Sequence, residues 1–256
     1  MKIIQFILCL GLWIELSAQS KSLVDIPATV RKGIIYKTEW SLDMALHTNG
    51  FYLGYNRAKI KNYHTSTYFH GDLGFLFHPK ETRSTKPNNS GFKSFNAYKF
   101  GKQNQLINLR IGRGVIKTLS EKARTKGIAL GLRLEGGVTL GLLKPNYLKI
   151  SDEQDGRFTI KDIKYSDNPV DFLDPNHILG ASNFFKGIQE VSLVPGLFAR
   201  AAIRLDPGAF EKMVRCLEAG IQWDLYSKSP AILANHSNPL SYLNLYLNLQ
   251  LGKRTN

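Results

Sequence analysis

Cysteine is almost absent from this chain: Cys9 and Cys216 are the two such residues in 256. Cys9 falls in an N-terminal stretch read below as an export signal, so one thiol remains. That excludes an internal disulfide and a cysteine-built metal centre. Beyond that stretch there is no run of about 18 apolar residues, so no membrane-spanning helix is expected. Acidic side chains are few as well, 20 Asp and Glu against 34 Lys and Arg, for a net charge of +14. In a cytosolic chain this excess would point to nucleic acid; in an exported one it points to outer-membrane lipids and lipopolysaccharide phosphates instead. No GxSxG elbow, HExxH pair, glycine-rich phosphate loop or CxxC occurs, and no cofactor or metal is expected.

What is present begins with Lys2, then an apolar stretch from Ile3 to Leu16, then the small residues Ser17 and Ala18. This is the layout of a secretory signal cleaved after Ala18. Residues 19–32 then form a short periplasmic arm, and residues 33–256 the body of the protein.

That body alternates with period two. Tyr36, Thr38, Trp40, Leu42, Met44 and Leu46 share one strand face, while Lys37, Glu39, Ser41, Asp43 and His47 share the other. Seven further segments do the same, most cleanly the one that sets Leu130, Leu132, Leu134, Val138 and Leu140 against Arg133, Glu135 and Thr139. The last places Leu243, Leu245, Leu247, Leu249 and Leu251 opposite Asn244, Tyr246, Asn248 and Gln250. Alternation alone also fits a soluble sandwich or a lipocalin-like barrel, so connection length has to decide. Segments three to four, five to six and seven to eight are joined by roughly 25, 50 and 15 residues, and the intervening connections by about 8 to 12. Asn49-Gly50 supplies a tight hairpin between the first two.

This ordering predicts an all-β fold: a transmembrane antiparallel up-and-down β-barrel of eight strands, both termini periplasmic, long outer loops at about 79–104, 144–195 and 227–240. Arg157 to Tyr165 allows either a hairpin above the membrane or two more barrel strands, making ten. Tyr36, Tyr55 and Phe69 are assigned to a periplasmic aromatic girdle, and Phe51, Phe77 and Tyr226 to an outer one. Asp206-Pro207 reads as the cap of a helical turn at the periplasmic rim.

The polar face becomes the lumen. Arg110, Arg133, Arg200 and Arg204 line one wall with Glu135; Glu39, Asp43, Asp72, Glu218 and Asp224 line the other, with Lys37 as its base. Charges taken out of water need partners, so the two sets should meet as ion pairs. An eight-stranded barrel has room for its own side chains and little more. His47 and His78 both face inward at the outer rim, near Asp43 and Glu81, which permits a metal or acid–base pair but more simply rim hydrogen bonding. His177, Ser182 and Glu190 are candidates for a lipid-modifying triad by residue type alone. In the loop at 79–104, Lys80, Arg83, Lys86, Lys93, Lys99 and Lys102 with Glu81 form a basic patch suited to lipid A phosphates.

At the level of particular residues the chain resembles a family of small, signal-bearing outer-membrane barrels of Bacteroidetes. The resemblance rests on His47-Thr48-Asn49-Gly50, His78-Pro79-Lys80-Glu81, Leu143-Lys144-Pro145-Asn146-Tyr147-Leu148, Phe184-Phe185-Lys186-Gly187 and Pro195-Gly196-Leu197. It implies the barrel fold and an outer-membrane location, and brings no activity with it. These pieces fall at the outer ends of strands, so His47, Asn49, His78, Lys80, Glu81, Lys144, Tyr147 and Lys186 are expected to gather into one outer cap. The functional expectation is a non-enzymatic barrel serving as a structural or accessory subunit of an outer-membrane assembly concerned with export or barrel assembly, docking on other outer-membrane proteins. A narrow channel or solute-binding barrel and a lipid A-modifying enzyme are the alternatives.

Overall fold

A computed structural model describes residues 36–62, 64–85, 96–120, 127–154, 157–208 and 211–256. The expected signal and arm lie outside these residues.

Eight strands close into an antiparallel barrel. In chain order they are β1 (Thr38–His47), β2 (Gly50–Asn62), β3 (Thr65–Leu76), β6 (Asn104–Ser120), β7 (Ala129–Pro145), β11 (Ser192–Asp206), β12 (Met213–Tyr226) and β13 (Ser241–Thr255). Two short strands, β4 (Arg83–Ser84) and β5 (Tyr98–Lys99), pair above the barrel, and β8 (Tyr147–Gln154), β9 (Arg157–Lys164) and β10 (Ile178–Ala181) make a separate three-stranded sheet. Residues 157–164 therefore belong to a hairpin outside the wall, and the barrel has eight strands, not ten.

Pairing registers fix the geometry. Following direct partners from Met213 through Lys253, Trp40, Arg57, Phe69, Arg113, Gly136 and Ala199 returns to β12 at Trp223, ten residues from the start. A stagger of this kind is what tilted strands need in order to close. The first hairpin turns on Thr48 and Asn49, one residue earlier than expected, because His47 already pairs with Gly50. Gly50 is required there: its φ is +153°, and a Cβ would lie 1.9 Å from the carbonyl oxygen of Phe75.

Apart from the two-residue hairpin at Thr48 and Asn49, which falls at the same end as the long connections, long and short connections segregate to opposite ends. One end carries the short turns after β2, β6 and β11 and the outer limits of β1 and β13; we call it the terminal end. The turn between β2 and β3 is only two residues, shorter than expected. After Asp206 the Gly208 N–H donates to Asp206 Oδ1 at 3.0 Å; the helical turn expected here falls partly on residues 209 and 210, which lie outside the described residues. The other, loop end carries the long connections.

Most outward positions are apolar and exposed, and most inward ones polar and buried. Leu42, Leu53, Leu134, Val138, Leu197, Ile203, Leu243 and Leu245 are all exposed on the outer wall, while Asp43, Asp72, Arg110, Arg133, Gln222 and Asp224 are buried inside. This inverts the order of a water-soluble protein. A larger apolar cluster fills the loop end, where Leu76, Leu106, Leu143, Val194, Tyr226 and Tyr242 pack with Ile232 and Leu233 of the last connection. Tyr226 thus faces inward and donates to Asn108 Oδ1 at 2.9 Å, outside the girdle assigned to it.

Candidate functional site

Strand parity directs a continuous charged network into the lumen. Nearest the terminal end, Glu39 accepts from Arg204 at 2.7 Å and from Arg254 at 2.8 Å, and Arg254 also reaches Asp206 at 2.5 Å. In the middle, the Arg133 guanidinium grips Glu218 at 2.9 and 3.1 Å, reaches Glu135 at 3.2 Å and Asp43 at 3.5 Å, and donates to Tyr68 Oη at 2.6 Å. Towards the loop end, Arg200 pairs with Asp72 at 2.8 Å, while Arg110 bridges Asp72 at 3.0 Å and Asp224 at 2.8 Å. The expected basic and acidic walls therefore meet.

Burial makes this arrangement stringent. An unpaired ion in such surroundings costs several kcal/mol, roughly, so each guanidinium is matched on more than one side. Aromatic faces supply the rest: Arg200 lies 4.3 Å from the Tyr52 ring centroid and Arg133 4.3 Å from that of Tyr68. Neutral amides add further donors, with Gln250 donating to Asp43 at 3.1 Å and Asn248 to Glu218 at 3.0 Å.

Two expectations are corrected here. Lys37 shares the parity of Glu39 but precedes β1, and its side chain is exposed at the terminal end. The base that serves Glu39 from that side is Arg254, its direct partner across the β1–β13 seam. Sequence reading also missed His70, although it lies two residues before Asp72 and so on the same inward face. His70 Nδ1 is 2.8 Å from Glu135 and Nε2 3.4 Å from Asp43, so Asp43 neighbours this histidine in the middle of the lumen.

No family model and no curated protein matches this chain. Among solved structures it is similar to Neisserial surface protein A, at 9% identity and a TM-score of 0.37, over 85% of this chain and 94% of that one. It is also similar to Ail, the attachment invasion locus protein of Yersinia pestis, at 8% identity and a TM-score of 0.34 over the same shares. The likeness to a Bacteroidetes family rests on the residues quoted for it above.

At the loop end the expected single cap separates into three groups. Thr48 and Asn49 both donate to Asn244 Oδ1, at 3.0 and 2.9 Å, beside His47, which stacks on Tyr52 with centroids 6.4 Å apart. A second group gathers on Glu81, which accepts from Lys99, from Lys102 at 2.8 Å and from the His78 N–H at 3.1 Å. His78 stacks on His236 at 6.4 Å, and Lys80 remains exposed, its N–H donating to His78 Nδ1 at 3.2 Å. In the third, Lys144 donates to the Lys186 carbonyl at 3.2 Å, Lys186 pairs with Asp162 at 2.7 Å, and Tyr147 donates to Glu190 at 2.7 Å.

The basic loop is also rearranged. Lys102 is buried and, with Lys99, is spent on Glu81, while both ammonium groups lie over the Phe77 ring. Of the remaining bases, Lys80 and Arg83 are exposed, and Lys86 and Lys93 lie outside the described residues. Burial pulls the Lys102 ammonium down to about 8, against the opposing pull of Glu81. Burial alone would raise Glu81, but Lys102 and the hydrogen bonds from Lys102, Lys99 and the His78 amide hold it below the usual carboxylate range.

Neither chemical alternative is assembled. Among the described residues no group of three His, Cys, Asp or Glu side chains is arranged to hold a metal ion. His177 neighbours Asp171 and Asp174, Ser182 bonds to Asp162, and Glu190 bonds to Tyr147 and Lys164, so the three triad candidates go to three different sets of partners.

Proposed function

We propose that this protein is an outer-membrane barrel that works through its loop-end crown, as a non-conducting structural or accessory subunit of a larger assembly. The observation that carries this reading is the filled interior. Buried ion pairs span the lumen from Glu39 to Asp224, and Ile232 and Leu233 fold over its loop end, so little is left inside for a solute. The apolar outer wall is suited to lipid on all sides, as in barrels that cross an outer membrane.

The crown supplies the surface for a partner. Its small sheet packs Leu148, Ile150, Phe172 and Ile178 with Tyr98 of β5 into a core of its own. On the outside it leaves Val170 77%, Phe185 69%, Ile188 56% and Phe184 51% exposed. Exposed apolar side chains grouped beside Lys186 are the composition of a protein contact site.

Two measurements test the proposal. Planar bilayers holding the purified chain should show no stepwise conductance; steady unitary currents would favour the narrow channel. Purification from native membranes in mild detergent should recover the barrel with defined outer-membrane partners, lost when residues 147–190 are replaced by a short turn. A solitary barrel under both conditions would overturn the subunit role.

A further inference from the structure

The outer wall of the barrel carries its exposed charge on one half only. No outward position of the eight barrel strands is Asp or Glu. Exposed outward Lys and Arg side chains are present, all in the half of their strand nearer the terminal end: Arg57, Lys59 and Lys61 on β2, Arg113 and Lys117 on β6, Arg215 on β12 and Lys253 on β13. In the loop half the outward base among the described residues is Lys144 on β7, buried where it donates to the Lys186 carbonyl, so the exposed outward face there is uncharged.

Three of these bases join two aromatic residues in one unbroken cross-strand row. Lys253 pairs directly with Trp40, Trp40 with Arg57, Arg57 with Phe69 and Phe69 with Arg113, so cation and aromatic ring alternate across five neighbouring strands. All five side chains are exposed, Trp40 at 39% and Phe69 at 48%. Adjacent strands lie about 4.8 Å apart, which spaces successive cations in the row by roughly 10 Å. None of the three cations has a carboxylate or hydrogen-bond partner among the described residues.

We propose that this row is a binding belt for anionic glycerophospholipid headgroups in the leaflet at the terminal end. This rests on the membrane reading above but goes beyond it, because it names a lipid class and places it at the end opposite the crown. Charge complementarity carries the assignment. Exposed guanidinium and ammonium groups without acidic neighbours match phosphodiester oxygens, and a planar guanidinium can take two of them at once. The interleaved Trp40 and Phe69 rings place the row at interfacial depth, where aromatic bodies sit among headgroups and long basic side chains extend toward them. The one-sided distribution means that the two leaflets are read differently: the terminal-end leaflet by charge, the other by apolar contact alone.

The test uses the full chain in phosphatidylcholine vesicles with trace spin-labelled phosphatidylglycerol or spin-labelled phosphatidylcholine, and reads the relative association of the two with the protein. The wild type should prefer phosphatidylglycerol by on the order of fivefold at low salt, with the preference shrinking as salt rises. R57Q/R113Q/K253Q should bring it close to one, R57K/R113K should keep most of it, and K80Q/R83Q at the crown should leave it unchanged. Equal association of both lipids with the inserted wild-type barrel, or an undiminished preference in the triple glutamine variant, would overturn the belt. Failure of the wild-type chain to enter any vesicle, read by heat-modifiable gel mobility, would instead overturn the membrane reading on which the belt depends.

Discussion

Arg133 in the lumen and Lys164 on the crown each hold a glutamate, and the two pairs live in different solvents. Arg133 is 2% exposed and meets Glu218 at 2.9 Å with three further partners around it. Lys164 meets Glu190 at 2.5 Å, but the two side chains are 24% and 43% exposed. In the lumen a charge is tolerated only because its neighbours are charged, so removing one strands the rest. On the crown water replaces a lost partner, and the pair contributes little. The crown is held by its apolar core instead, so the same residue types organise one region and merely decorate the other.

The sharpest way to break this contrast is Arg133→Leu. It should destabilise the barrel by about 3 to 5 kcal/mol, because Glu218, Asp43 and Glu135 lose a shared partner. Urea titration of vesicle-refolded protein measures it, and an unchanged midpoint would dissolve the distinction. Leu148→Ala in the crown should cost a comparable 2 to 5 kcal/mol, roughly, yet only locally. Hydrogen exchange should quicken across β8, β9 and β10 while the barrel amides keep their protection. Leu132→Arg, one residue from Arg133 but on the outer wall, should cost about 2 to 4 kcal/mol in a bilayer if it lies near the midplane. Full tolerance there would mean that the outer wall does not face lipid.

Acidification sharpens the comparison at the boundary between the two regions. Glu81 is held below the ordinary carboxylate range, so the unfolded loop binds its proton more readily than the folded one. The stabilisation is present above the ordinary glutamate value and is lost as pH falls through the lowered one. Exchange protection at Lys99 and Lys102 should therefore fall on acidification, and Glu81→Gln should abolish that dependence. The smallest effect belongs to Lys164→Ala, whose unfolding midpoint should match that of the wild type.

Most of the barrel was legible because a wall residue has one choice, lipid or lumen, and period two announces it. Leu243 to Leu251 and Arg133 with Glu135 needed nothing more. His70 and Arg254 obey the same parity but stand apart from the conspicuous runs of charge, and Asp206, expected as a cap, also accepts from Arg254. Lys37 was drawn inside by parity although the wall no longer encloses it there. The crown was much less legible. Whether Lys102 is solvated or buried depends on Glu81 and on Leu233, with which it forms a bridge, and no local pattern encodes contacts that distant. Tyr226 failed for a related reason: aromatic residues at strand ends belong to the girdle only when their parity points outward.

The seam between β1 and β13 pairs Thr38 with Thr255 and continues for ten residue pairs. It joins the first strand of the wall to the last. Until β13 arrives, β1 and β12 each present an open edge with unpaired amides, which invites pairing with other chains. Closure therefore cannot proceed strand by strand with a finished wall at each stage. Delivery of β13 decides whether a barrel exists at all, and a molecule cut short before Ser241 would be a sheet with two adhesive borders. Timing is thus written into the topology: this wall completes late and all at once, and anything that guides its assembly must guard those two borders until the end.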